Sequence, residues 1–172
     1  MGAYGTTIIA TPNIDELAEA GVRYTNVFMP APVCSVSRST IITGTMSTTL
    51  GLHNHHSSRT DESAIYLPDG FQTIPELFNE AGYFSFNNGK DDYNFHYDRR
   101  DLYDQSYSQH PLYGKRGDPI ALAELKNRQP FFGQIQLSGG KEIFSSAFNE
   151  SIVTPVDRAT IELPPYLPAH PA

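Results

Sequence analysis

The sequence predicts an α/β protein in which helices cover both faces of a sheet, and three observations carry that expectation. Helix-compatible segments alternate with short apolar runs along the chain. The segments begin at capping residues or a rigid approach, and three of them close at a glycine. Polar, irregular stretches open where the apolar runs end, which is where sites of open α/β sheets lie.

Thr11-Pro12-Asn13, followed by Ile14, Leu17 and Ala18, reads as the first helix. Thr11 is its N-cap, Pro12 its first helical residue and Gly21 its C-terminal stop. Val22 to Phe28 alternates enough for a short strand. Pro30 and Pro32 form a rigid approach to Cys34, and residues 35–43 are helix-compatible up to Gly44. The polar stretch 45–70 is long for a connection, which marks a functional or irregular loop. Thr73-Ile74-Pro75-Glu76 opens a second capped helix with Ile74, Leu77, Phe78 and Ala81 on its apolar face and Gly82 at its end. Tyr83 to Phe86 is a strand candidate running into Asn87-Asn88-Gly89-Lys90. A Tyr-rich irregular stretch follows to about Gly117. Asp118-Pro119 then caps a helix through about Asn127, and Pro130 to Leu137 reads as a buried strand before Ser138-Gly139-Gly140. The loops beginning at Cys34, Lys90 and Gly139-Gly140 are expected together at the C-terminal ends of strands.

Composition bounds the rest. A length of 172 residues allows one ordinary domain. No run approaches the roughly eighteen consecutive apolar residues of a membrane span. Lys and Arg number 12 against 19 Asp and Glu, a formal net charge of -7. That balance argues against nucleic acid as a partner and leaves room for one local anion site. A single cysteine excludes an internal disulfide framework and any multi-cysteine zinc site. Met1-Gly2-Ala3-Tyr4-Gly5 has neither the basic nor the apolar region of a signal peptide. From residue 154 to 172, Pro155, Pro164, Pro165, Pro168 and Pro171 make a loop or linker, set apart from a domain over 1–153.

The chemistry concentrates around the cysteine. Residues 32–44 read Pro-Val-Cys-Ser-Val-Ser-Arg-Ser-Thr-Ile-Ile-Thr-Gly. A helix starting near Ser35 puts Cys34 at its N-terminus and Arg38 one turn further on the same face. Backbone N–H groups, the helix dipole and a guanidinium then surround one sulfur-bearing side chain. That makes an anion pocket with a potential nucleophile at its floor. The ordinary alternative is a buried cysteine acting as a small hydrophobe. The His53-Asn54-His55-His56 cluster lacks the carboxylate or cysteine that would complete a metal spacing. Polar loop histidines are its plain reading, and sugar contact by His55 its functional one. The run from Asp91 to Tyr107 carries residue types that bind sugar rings and that also pack ordinary loops.

The cysteine segment resembles the signature of the type I, formylglycine-dependent sulfatase family: Cys-x-Pro-Ser-Arg, a few residues, then Thr-Gly. Cys34, Ser37, Arg38, Thr43 and Gly44 match in identity and spacing. Thr11-Pro12-Asn13-Ile14 through Gly21-Val22-Arg23-Tyr24-Thr25-Asn26 is similar to the block upstream. Thr73-Ile74-Pro75-Glu76 through Ala81-Gly82-Tyr83 to Gly89-Lys90, and Pro130-Phe131-Phe132, are similar to those downstream. The resemblance covers roughly residues 1–140 and looks most like the heparan N-sulfatase-like group. Val36 departs from the family's Pro or Ala at a position read by the maturing enzyme. Asp92 stands where many members have His.

The resemblance implies a three-layer α/β/α alkaline-phosphatase-like fold, incomplete here, with 1–153 as part of a catalytic domain. It implies a sulfatase acting on a sulfate ester or sulfamate of a sulfated carbohydrate. Cys34 would be oxidised by a formylglycine-generating enzyme, and the hydrated product's hydroxyl would attack sulfur. The alcohol or amine then leaves, and sulfate departs as the aldehyde re-forms. Arg38 would hold the formylglycine, and Lys90 would contact it and the sulfate. Lys141 would contact sulfate, while Asp92 would accept a proton or bond a sugar hydroxyl. The family also binds calcium, through an Asp pair ending its first strand and a second pair far downstream. This chain has neither pair, so Cys34 in its formylglycine form would be its metal contact. The expectation is therefore an internal piece of a longer protein, inactive alone, whose parent is periplasmic, secreted or lysosomal. A non-catalytic or carbohydrate-binding remnant of the fold is one alternative. A phosphoryl-transferring relative is another, disfavoured by Cys34 with Arg38.

Overall fold

The computed structural model describes residues 1–107, 119–136, 156–163 and 165–167. The chain divides into two units, Met1–Val27 with Ser138–Ala172, and Phe28–Leu137.

In the first unit, helix α1 spans Pro12–Ala20, with Pro12 where a missing N–H is harmless. Thr11 stands at the N-cap, but its hydroxyl is used differently. It accepts from the Gly2 N–H at 2.8 Å and donates to Asp15 Oδ1 at 3.0 Å. Asp15 also accepts from the Ala3 N–H at 2.6 Å, so the 3-10 turn Gly2–Tyr4 is tied to α1. The strand expected from Val22 to Phe28 does not form, and Val22 is 77% and Phe28 88% exposed. Alternation becomes a strand only when a neighbour takes up its backbone groups, and no described strand does so here. Within the Pro-rich stretch, Arg158–Thr160 makes one 3-10 turn.

The second unit is built on β1, Phe84–Asn88. Strands β2, Gln105–Tyr107, and β3, Phe131–Ile135, flank it in the order β2-β1-β3, both parallel to it. Phe86 pairs with Gln105 on one side and with Gly133 on the other. Parallel strands need crossovers, and these contain α4, Arg99–Leu102, and the 3-10 helix Leu122–Asn127. Both α4 and β2 arise inside the stretch expected to be irregular.

Each face of the sheet is covered. On one, Phe86 packs with Ile120 and Leu125, and Asn88 exchanges hydrogen bonds of 3.2 Å with both backbone groups of Ile120. Gly133 is required beneath the Phe86 ring, because a Cβ there would run into it. On the other face lies α3, Ile74–Glu80, whose Phe78 stacks on Phe132 at 4.6 Å. Thr73 and Glu76 close the expected capping box: the Thr73 N–H donates to Glu76 Oε2 at 2.7 Å. The apolar face of α3 is narrower than the sequence suggests, because Leu77 is 50% exposed.

Two further expectations change. The helix anticipated from Asp118-Pro119 is a 3-10 helix beginning at Leu122, and Asp118 lies outside the described residues. Strand β3 is not buried, with Phe131 40% and Ile135 46% exposed. It stands at the edge of the described sheet, with no described strand on its outer side.

Helix α2, Cys34–Thr43, ends where Gly44 turns left-handed at φ 61°. Two of its buried hydroxyls bond within the helix: Ser39 donates to the Ser35 carbonyl and Thr43 to that of Ser39, each at 2.7 Å. Ile42 joins the core formed by Leu52, Tyr93, Phe95, Leu102 and Tyr103.

Candidate functional site

Cys34 is the first residue of α2 and half-buried. Val33 precedes it in extended conformation and no side chain caps the helix, so the first N–H groups face an open end. Val36 is 2% exposed, so this departure from the family signature is absorbed by the core.

Arg38 lies one turn after Cys34, and its Nη1 donates to the Lys90 carbonyl at 2.9 Å. That bond ties α2 to the turn after β1. The turn depends on Gly89, whose φ is 130° and whose Cβ, if present, would collide with Gln136. Among the described residues Arg38 makes no ion pair, so its charge faces the site without a carboxylate partner.

Asp92 is the centre of charge. Its side chain is fully buried, and the residue sits at φ 57°. Lys90 Nζ lies 2.8 Å from its Oδ2, an ion pair whose angles fall outside those of a hydrogen bond. Arg59 Nη2 contacts Oδ1, and His56 Nε2 is 3.5 Å from the same oxygen. Asp91 Oδ1 accepts the Asp92 N–H at 2.9 Å. Burial, and then the neighbouring Asp91 carboxylate, raise the Tyr97 pKa far above its usual range, so this phenol keeps its proton. Burial and then the Arg59 charge lower that of His56, against the pull of Asp92, and favour a neutral imidazole.

A second chain of contacts runs back to the cysteine. His55 Nδ1 lies 2.7 Å from Ser35 Oγ, and the His56 N–H donates to the same hydroxyl at 3.4 Å. The two imidazoles pack with centroids 3.6 Å apart. Asn94 fastens the whole: its N–H donates to Ser39 Oγ at 2.8 Å, and its Nδ2 to the carbonyls of Leu52 and Asn54.

The structure thus brings Cys34, Arg38, Lys90, Asp92 and His55 to one locality, through α2, the 52–59 loop and the turn after β1. Lys141 lies outside the described residues. Nothing in the sequence singles out Arg59 beyond its place three residues after the histidine pair. Among the described residues no group of three or more His, Cys, Asp or Glu side chains converges on a metal position. Nor is any helix among them long and apolar enough to cross a membrane.

A helix N-terminus with Arg38 one turn on, tied to the turn where Lys90 and Arg59 meet Asp92, suits a tetrahedral oxyanion. Comparison with known proteins makes the class specific. Residues 1–139 match the Sulfatase family, and the chain belongs to that family. N-acetylgalactosamine-6-sulfatase of Homo sapiens is 34% identical over 90 residues, covering 49% of this chain and 17% of that protein. Iduronate 2-sulfatase of Mus musculus is 36% identical over 90 residues, 52% of this chain and 15% of that protein. The chain therefore spans 15% to 17% of the length of these curated relatives. A solved 2-O GAG sulfatase is similar over 77% of this chain and 30% of its own, with a TM-score of 0.53 at 24% identity. That likeness concerns the fold, which is the alkaline-phosphatase-like α/β fold in part.

Proposed function

We propose that this chain carries the nucleophile-bearing part of a sulfatase that hydrolyses a sulfate ester or sulfamate on a carbohydrate. One observation carries the reading: the 2.9 Å bond from Arg38 to the Lys90 carbonyl brings the cysteine's helix and the lysine's turn to one place. Position 34 suits formylglycine, being half-buried at an uncapped helix start with a guanidinium one turn away. There the modified residue supplies, when hydrated, a hydroxyl nucleophile and afterwards an aldehyde that re-forms as sulfate leaves.

The chain's own residues do the positioning. Arg38 and the N-terminus of α2 orient the group at position 34 and favour negative charge near it. Lys90 and Arg59 neutralise charge on the peripheral sulfate oxygens. Asp92 is a positioning residue: buried between those two cations, it fixes them before substrate arrives, so no reorganisation is needed during reaction. His55, exposed and bonded to Ser35 next to Cys34, contacts a sugar hydroxyl. Lys141 adds a sulfate contact.

The family's calcium needs several hard oxygen donors. The described residues do not assemble such a set, since Asp92 is taken up by cations and position 34 would offer one ligand. The whole protein is matured by a formylglycine-generating enzyme and works in the periplasm, the lysosome or outside the cell. This chain alone does not turn over.

The test is sulfate release by the protein made from its complete reading frame, together with a formylglycine-generating enzyme. Aryl sulfates and sulfated glucosamine oligosaccharides are the substrates. Release that disappears in Lys90→Ala supports the reading. Absence of release from every substrate, with an unmodified thiol at position 34, defeats it and leaves the carbohydrate-binding alternative.

A further inference from the structure

We infer that the second unit carries another ligand site, a carbohydrate subsite for a sugar ring without sulfate, in the cavity between residues 66–76 and 95–102. The inference deepens the sulfatase reading and rests on it only for the polymer to which the sugar belongs.

The cavity holds about 320 Å³, within the range of small-ligand sites. Its walls combine ring faces with carboxylates. Tyr66 is 68% exposed, and its ring lies 5.0 Å from that of His96. Behind it, Tyr97 packs 5.3 Å from the buried Phe95, which backs the same wall. Asp69, Glu76, Asp98 and Asp101 also line it, and among the described lining residues there is no Lys or Arg. An aromatic face stacks on the C–H face of a pyranose while carboxylates accept hydrogen bonds from its hydroxyls. Of these, Asp69 and Asp101 are exposed and disfavour a sulfate group, whereas Asp98 is paired with Arg100 and Glu76 is bonded to Thr73. The ligand that satisfies both is a flat, hydroxyl-bearing ring without negative charge.

The site is preformed. The His96 N–H donates to the Ile65 carbonyl at 2.7 Å, joining the two stretches. Glu76 is held in the capping box of α3. Asp98 starts α4, its carbonyl accepting the Leu102 N–H at 3.0 Å, while Arg100 engages its carboxylate. Asp69 and Asp101 are exposed. Walls fixed in this way lower the ordering cost of binding.

Position favours the same occupant. His96 is four residues from Asp92, a span of at most about 14 Å even fully extended. That distance is within the length of a short oligosaccharide, and on the proposed reading its sulfated unit sits at Lys90 and an unsulfated unit at Tyr66. A metal ion is the competing occupant of an acidic cavity. The described carboxylates do not converge in a group of three or more that could hold one.

The test uses the protein from its complete reading frame. Two uncharged tetrasaccharides, chitotetraose and cellotetraose, are titrated by calorimetry, without and with calcium. The expected result is saturable binding of a tetrasaccharide, weakened about tenfold by Tyr66→Ala and by the Asp69→Asn, Asp101→Asn pair. All three positions are exposed, so melting temperatures should hold, as should release of sulfate from a small aryl sulfate. The subsite is refuted if neither tetrasaccharide binds, or if binding ignores both variants. Calcium uptake that the variants abolish, without sugar binding, refutes it equally. Should aryl sulfate release be absent while tetrasaccharide binding falls in the variants, the sulfatase reading fails and the subsite stands.

Discussion

The two ends of the segment from Asp91 to Leu102 differ in depth and in charge. At its start, Asp91 to Asn94 are buried, and Asp92 lies among Lys90, Arg59 and His56. Further on, His96, Asp98 and Asp101 are exposed, and the cavity they line is ringed by carboxylates. One short stretch thus sorts charge along its length. At the buried end one carboxylate meets two cations, Lys90 and Arg59, which leaves net positive charge at the place proposed for sulfate. At the exposed end Asp98 is paired with Arg100 while Asp101 faces water, an arrangement that on the proposed reading disfavours sulfate. A single-sign pocket would hold a sulfated polymer tightly and in any register; opposite ends give it an orientation.

The comparison breaks most severely at the cysteine. Cys34→Ala in the complete protein should lower sulfate release by at least about 10³-fold while leaving the melting temperature close to wild type. Comparable loss from Tyr66→Ala on a small aryl sulfate would erase the distinction between the two ends.

Asp92→Asn comes next. Asparagine accepts the left-handed backbone at this position, so the change removes charge without adding strain. Lys90 and Arg59 then lose their common counter-ion, at a cost of about 2 kcal/mol after allowing for their partial exposure. Sulfate release should fall by about 10²-fold, mostly in kcat, because the cations are no longer fixed. Asp101→Asn, at the exposed end, should change stability by less than about 0.5 kcal/mol in the same denaturant titrations.

Asn94 stands at the joint between the ends. Replacing it with Ala strips the Leu52 and Asn54 carbonyls of a donor, at about 1–3 kcal/mol in urea unfolding. Both sulfate release and tetrasaccharide binding should weaken together, unlike in any variant at one end.

The smallest effect concerns pH. His56 has a folded pKa below its ordinary 6.5, through burial and the Arg59 charge. Below that ordinary value the unfolded chain binds the proton more readily, so stability is full above about pH 6.5 and falls as pH drops toward the folded value. His56→Asn, tolerated at φ 58°, should flatten this part of the stability profile. An unchanged slope between about pH 7 and 5 would mean that the imidazole is not linked to folding.

What the sequence reveals about this molecule follows the range of the interactions. Local signals carry far: the Thr73 to Glu76 capping box, the proline at the start of α1 and the glycine ending α2 all act within one or two turns. The same holds for Cys34 with Arg38, whose spacing on one helix is set by its period. Signals that need a distant partner do not. Val22 to Phe28 alternates like a strand yet has no described neighbour, whereas β2 forms in a Tyr-rich stretch because β1 is there to pair with it. Arg59 meets Asp92 across 33 residues, through a loop without periodicity, and nothing near either residue announces the pair. Asp92 is read differently for the same reason. Sequence offers a carboxylate near Lys90, and only the packing of the 56–59 loop makes it a buried counter-ion.

The central claim is that position 34 becomes a nucleophile at the start of α2, facing cations held by Asp92. Mass spectrometry of the peptide containing residue 34 tests it most directly, on protein from the complete reading frame produced with a formylglycine-generating enzyme. The account predicts the mass of the aldehyde, in a protein that releases sulfate. A peptide carrying the intact thiol throughout, in a folded protein that releases none, would contradict it.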